Sequence, residues 1–193
     1  AGTIVLVLGM IDDFRALTPG VKLLGQLLAA GVLIKSGILI QLVFLPLWAA
    51  LPLTVIWIVA TTNAFNLIDV MDGLSAGVAF VVSGILFAVA VLNGRAMIAI
   101  VTLSLAGALL GFLHYNFEPS QIYLGDTGSM FIGLMLGSLA MLGSYTGKNL
   151  LGFICPVIIL GVPIFDMLFV IYIRYRRGHP VILGSPDHFA LRL

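Results

Sequence analysis

Three stretches, from about Ala50 to Asn66, Ala76 to Leu92 and Met97 to Leu113, each run seventeen residues without a charged side chain. Runs of that length approach the ~20 apolar residues that carry a helix across a bilayer. In lipid each segment must satisfy its own backbone polar groups, so they fold as helices rather than open strands. The whole chain follows suit. It is 61% hydrophobic and 9% charged, where soluble domains are about a quarter charged. A water-soluble domain is excluded, and an integral membrane protein is expected.

Further apolar runs extend the pattern. Ala1 to Ile11 and Leu23 to Ile34 precede the three, and Met130 to Tyr145 and Leu150 to Ile173 follow them. About seven spans are therefore expected in one all-α, polytopic transmembrane helix bundle. The stretch Gly37 to Trp48, "GILIQLVFLPLW", is apolar but broken by Pro46, and reads as a membrane re-entry or a short interfacial hairpin. The first run is about half a bilayer long, so residues 1–193 read as a single domain truncated at its N-terminus. The lone Cys155 has no partner for an internal disulfide and reads as a small packing residue.

Threading the spans alternately sorts the charges. With Asp12 and Asp13 on one side, Asn66 to Gly73, Tyr115 to Asp126 and Arg174 to Arg192 return to it. Lys35, Arg95 and Lys148 lie opposite. Of the eight acids, only Asp166 falls off that face, inside the last span. Six of the nine Lys and Arg residues share the acids' face, which the positive-inside rule makes cytoplasmic. The rule does not require the acids to segregate with the basic residues; a one-sided active site would require it. An ion path would distribute ionisable groups through the depth of the membrane, which counts against a transporter.

Four clusters carry chemistry. In "GMIDDFRALTPGVK" the adjacent Asp12 and Asp13, with Lys22 downstream, read as a solvated loop pair, as a pair that takes Mg²⁺, or as one base or covalent nucleophile beside a metal ligand. In "NAFNLIDVMDGLSAG" the residues Asn63, Asn66, Asp69 and Asp72 step by three. On a helix that spacing stacks four polar side chains in one stripe, with Gly73 closing the end. In "HYNFEPSQIYLGDTGSM" Gly125 and Gly128 flank Asp126. Glycines let backbone amides approach a phosphate, and a helix starting there offers it a positive end beside a natural Mg²⁺ ligand. Tyr123 reads as a base-stacking platform or as part of an interfacial aromatic belt. In "RYRRGHPVILGSPDHFALRL" the residues Arg174, Arg176 and Arg177 suit phosphate binding or membrane anchoring equally. Asp166, beside Pro163, must face a partner or the bundle interior, and reads as a structural acid.

Taken in order, "GMIDDFRALTPGVKLLGQ", "NAFNLIDVMDGLSAG", "YNFEPSQIYLGDTGS" and "PIFDMLFVIYIRYRRG" make the chain resemble the polyprenyl-phosphate N-acetylhexosamine-1-phosphate transferases. These membrane enzymes start peptidoglycan, teichoic acid, O-antigen and enterobacterial common antigen lipid intermediates. The resemblance implies about ten transmembrane helices around a cytoplasmic active site in the bacterial inner membrane, so that the chain would lack the first two or so. It implies Asp12 and Asp13 as the catalytic pair and Asp126 as the Mg²⁺ ligand. Asn66, Asp69 and Asp72 would form the acidic loop by nucleotide and metal, with Asp69 a second metal contact and Asn63 in line with them. Asn116 and Tyr123 would contact and stack on uracil, and Lys22 is the basic residue of the first motif. Arg174, Arg177, His188 and Arg192 would complete the substrate contacts. Members usually carry a His-x-His or triple-His loop near the end, and here "SPDHFALRL" supplies only His188. That departure favours the N-acetylglucosamine branch over the muramoyl-pentapeptide branch.

The expected reaction moves N-acetylhexosamine 1-phosphate from a UDP-sugar to undecaprenyl phosphate and releases UMP. Joining two anions makes charge neutralisation the main obstacle, which Mg²⁺, or Mn²⁺ in its place, addresses. The partners expected are UDP-N-acetylhexosamine, undecaprenyl phosphate and the bilayer, with no nucleic acid. A homodimer stays open. The rival of another class is a transporter or an inactive structural fragment.

Overall fold

The computed structural model describes residues 1–41, 45–143 and 154–178. Among these the chain is helical, without strands. The helices are α1 (Gly2–Phe14), α2 (Pro19–Lys35), α3 (Leu47–Ile68) and α4 (Leu74–Leu92). They continue as α5 (Ala96–Asn116), α6 (Gly125–Leu142), α7 (Cys155–Ile159) and α8 (Gly161–Arg176). Each of the seven expected runs contains a helix. The last is two, α7 and α8, parted at Leu160, whose ψ of 18° leaves the helical range. By length and composition four, α3 to α6, suffice to cross a membrane, and the chain is a multi-pass membrane protein.

α6 is the axis of the bundle. One side of it sets Met130 and Leu134 against Val5 of α1, Ala29, Ala30 and Leu33 of α2 and Ile58 of α3. The other sets Ile132, Leu136, Leu139 and Ala140 against Phe65 of α3, Leu86 of α4 and Leu109 of α5. Lipid is as apolar as leucine, so helices associate through close contact and interhelical hydrogen bonds. At Gly137 an added Cβ would collide with Thr61 Oγ1, and the Gly137 carbonyl accepts from Trp57 Nε1 at 3.0 Å. Hydroxyls within the helices bond back along their own turn. Thr62 donates to Ile58 O at 2.7 Å, and Ser138 to Leu134 O at 2.6 Å. Such back-bonding satisfies those hydroxyls within the apolar layer, while the buried Ser83 hydroxyl on α4 has no hydrogen-bond partner among the described residues.

Outward faces of the helices are greasy. Leu28, Ile56, Leu92 and Ile100 are 63–82% exposed, an arrangement that suits hydrocarbon and would aggregate in water. Asp166 is buried on α8, which places the one intramembrane acid toward the bundle as expected. After α2 the chain folds back: Ile38 packs against the α1–α2 core, and the Ile40 N–H donates to Thr54 Oγ1 at 3.0 Å. The expected re-entry falls partly on residues 42–44, outside the described residues.

Candidate active site

The start of α6 organises the site. Its first N–H groups have no partner within the helix, and Leu124 at its N-cap provides no side-chain bond. Asp13 provides it from the far end of the sequence. Its Oδ1 accepts the Asp126 N–H at 2.8 Å, and its Oδ2 accepts the Thr127 N–H at 3.1 Å and the Thr127 hydroxyl at 2.5 Å. α1 reaches this position because Gly9 lets it lie on the α6 backbone, where a Cβ would meet Thr127 Cα at 2.5 Å. Gly125 adopts φ +64°, and a Cβ there would stand 2.9 Å from Asp13 Oδ2. The expectation that Gly125 and Gly128 open the amides to a phosphate is corrected here, because the anion that takes the Asp126 and Thr127 N–H groups is the Asp13 carboxylate.

Beside it, Lys22 in the second turn of α2 lies between two acids. Its Nζ is 2.6 Å from Asp126 Oδ2 and also pairs with Asp12 Oδ2. Asp12 is buried at the end of α1, and its Oδ1 accepts the Leu17 N–H at 2.6 Å. Burial alone would raise its pKa, but the contacts with Asp126, Lys22 and the Leu17 amide hold it below the ordinary carboxylate value. Burial opposes the charge of Lys22 as well, and the two carboxylates outweigh it and raise its pKa. Both groups are therefore charged at neutral pH. The other oxygen of Asp126 accepts from Asn66 Nδ2 at 2.8 Å, and Asn66 also donates to Ser129 Oγ at 3.0 Å. Helices α1, α2, α3 and α6 thus each send a side chain to one point.

Asp69 follows the last turn of α3 as its C-cap. Burial, then the charges of Asp126 and Asp13, push its pKa up to about 6. Three carboxylates therefore bear on one another here, which creates an electrostatic demand for a cation. The expected four-residue stripe ends at Asp69. α3 stops at Ile68, and the chain turns through Gly73 at φ +72° before α4. Asp72 leaves the helix and accepts the Ser120 N–H at 3.1 Å. Asn116 ends α5 buried, accepting the Gly73 N–H at 3.1 Å and donating to Ile122 O at 2.9 Å. It straps the turn after α3 to the loop before α6. Tyr123 stands 77% exposed on that loop. Asn63 lies deeper, pairing with Gln26 and apart from the acids.

Among the described residues no three carboxylate, imidazole or thiol groups are placed to hold a metal by themselves. A Mg²⁺ ion asks for less, taking one or two carboxylates and completing its shell with phosphate and water. Asp69 and Asp126, whose charges repel across the site, fit that demand. Arg174 is buried at the end of α8, and its Nε has no hydrogen-bond partner among the described residues. Arg177 is exposed just beyond α8. His188 and Arg192 lie outside the described residues.

Gln26 was missed by sequence reasoning. Its only signal there is a polar side chain four residues after Lys22, inside an apolar run.

The model of glycosyl transferase family 4 matches residues 1–144. The chain is 39% identical to a Bacillus subtilis (strain 168) protein named as a probable undecaprenyl-phosphate N-acetylglucosaminyl 1-phosphate transferase, covering 98% of this chain and 55% of the relative. It is 31% identical to the decaprenyl-phosphate N-acetylglucosaminephosphotransferase of Mycobacterium tuberculosis (strain ATCC 25618 / H37Rv), over 99% and 54%. A Halalkalibacterium halodurans phospho-N-acetylmuramoyl-pentapeptide-transferase is 34% identical over 94% of the chain and 61% of the relative. The chain spans roughly half the length of the first two of these relatives.

Proposed function

We propose, from the premise that this chain belongs to glycosyl transferase family 4, that it transfers N-acetylglucosamine 1-phosphate from its UDP-sugar to undecaprenyl phosphate and releases UMP. The observation that carries this reading is the convergence of Asp12, Lys22, Asn66 and Asp126 from four helices at the cap formed by Asp13. The N-acetylglucosamine donor is preferred to the muramoyl-pentapeptide one because the N-acetylglucosamine relative at 39% identity covers nearly all of the chain.

In this reaction a lipid phosphate oxygen attacks the sugar-bearing phosphorus, and the bond to UMP breaks. Two anions must meet, so the site must neutralise charge. Asp69 and Asp126 would hold Mg²⁺, which when bound lowers the charge on the pyrophosphate. Asn66 fixes the orientation of Asp126 through its Oδ1. Lys22 supplies a fixed positive charge between Asp12 and Asp126. Asp13 holds the first turn of α6, and with it the Asp126 backbone. Asp12, ionised and facing Lys22, is the carboxylate free of the α6 cap and suited to receive the acceptor's proton. Asn116 and Asp72 hold the two loops that would frame the nucleotide, with Tyr123 available to stack on uracil. Arg174 and Arg177 would face phosphate, on the cytoplasmic side of a bacterial inner membrane.

The test is direct. With Mg²⁺ and undecaprenyl phosphate in detergent, label from radiolabelled UDP-N-acetylglucosamine should enter lipid. Label entering from none of the UDP-N-acetylhexosamines would sink the reading. Asp126→Asn should lower turnover about a hundredfold or more. Normal Mg²⁺-dependent turnover in that variant would remove the metal assignment alone.

A further inference from the structure

One turn deeper in the bundle than Lys22 lies a contact that the reaction itself does not use. Gln26 is 1% exposed. Its Nε2 donates to Asn63 Oδ1 at 3.2 Å, and Asn63 Nδ2 donates back to Gln26 Oε1 at 2.8 Å and to Val59 O at 2.8 Å. Gln26 follows Lys22 by four residues on α2, and Asn66 follows Asn63 by three on α3, so each pair shares a helix face. Lys22 and Asn66 in turn take the two oxygens of Asp126, at 2.6 and 2.8 Å. The four side chains and Asp126 close a circuit across α2, α3 and α6.

We propose that the Gln26–Asn63 amide pair is a register pin that sets α2 against α3 and so positions Lys22 and Asn66 on Asp126; its effect on turnover rests on the transferase reading. Among the described residues it is the only side-chain hydrogen-bonded link between α2 and α3. The other α2 and α3 members of the core they share, Ala29, Ala30 and Leu33 with Val55, Trp57 and Ile58, are apolar and carry no directional bond to fix the register. The amide pair carries two. A slip of one residue moves a helix by ~1.5 Å and turns it by ~100°, parting both bonds and stranding amide groups in an apolar layer. Displacements of that size at a reacting centre cost up to about a hundredfold in rate. The flexible Lys22 stem absorbs part of the shift, so a loss of about tenfold in kcat, with KM for the donor little changed, is expected for a positioning pair.

The experiment separates geometry from turnover. Nitroxide labels on Leu28 of α2 and Ile56 of α3, both exposed, are placed in a Cys155→Ser background, and their separation is measured by pulsed electron resonance. The parent protein, with the pair intact, should show one narrow distance, lost or displaced in Gln26→Leu and in Asn63→Leu. The double exchange Gln26→Asn with Asn63→Gln keeps the summed length of the pair and should restore both the distance and kcat. Leucine variants that keep the original distance overturn the pin. Should they fail to fold, the exchange variant decides, and a displaced distance in it overturns the pin. Lost kcat that the exchange does not restore overturns the positioning role. No turnover in any protein, with the distances behaving as stated, overturns the transferase reading and upholds the pin.

Discussion

Replacing Asp13 by alanine is the sharpest test of the cap on α6. The variant removes three acceptor contacts, to the Asp126 N–H, the Thr127 N–H and the Thr127 hydroxyl. A net hydrogen bond contributes about 0.5–1.5 kcal/mol, more when one partner is charged. Asp13 is exposed, so solvent screens its charge and the lower figure applies to each. The loss is then about 1.5 kcal/mol, within the range of about 0.5–2 kcal/mol for N-cap substitutions. For a chain of this length that lowers Tm by about 3–6 °C. Asp13→Asn keeps the shape and one acceptor, and should lose about half as much. Thermal unfolding in detergent, followed by circular dichroism, reads both. A cycle with Thr127→Val isolates the side-chain contact, with an expected coupling of about 0.5 kcal/mol. The cap is refuted if Asp13→Ala melts with the parent or if the coupling is zero. Stability is the deciding readout, because a direct role for Asp13 in the chemistry would lower turnover too.

Asp69 gives a pH signature. Its folded pKa of about 6 lies above the ordinary 3.8, so the folded state holds this proton more tightly. The associated stability is full below 3.8 and is lost as pH rises to about 6. Asp69→Asn should therefore melt higher than the parent at pH 7.5 without metal, by at most about 3 kcal/mol, and the gap should close toward pH 4; a gap constant with pH counts against the burial and repulsion invoked. Asn116→Leu strands the Gly73 N–H and the Ile122 carbonyl, at about 1–3 kcal/mol for each buried group. Its Tm should fall further than that of Asp13→Ala, and a smaller fall in the melting curve would argue against the strap.

The membrane spans were legible because charge is absent over whole helix lengths, as between Ala76 and Leu92. The acids that the structure brings together, Asp12, Asp13, Asp69 and Asp126, stood out in the sequence because charge is rare in their setting. Their division of labour was not. Adjacent Asp12 and Asp13 are indistinguishable in sequence, and only the path of α1 across Gly9 sends one to Lys22 and the other to α6. The stripe of residues stepping by three overran the helix, because nothing local to Asp69 announces that α3 ends before it while Asp72 turns to Ser120. Gln26 escaped notice because its partner is 37 residues away, and pairing of that kind leaves no periodic trace.

The cap that joins Asp13 to α6 spans 113 residues, and that separation has a meaning in time. At about 5–20 residues per second of synthesis, the first turn of α6 follows Asp13 by about 6–23 s. Helix–coil exchange takes about a microsecond. Throughout that interval α1 waits with its carboxylate unmatched, so the pocket around Asp126 cannot mature with the N-terminal half alone. It is completed only when the first turn of the sixth helix, with Asp126 and Thr127, is delivered.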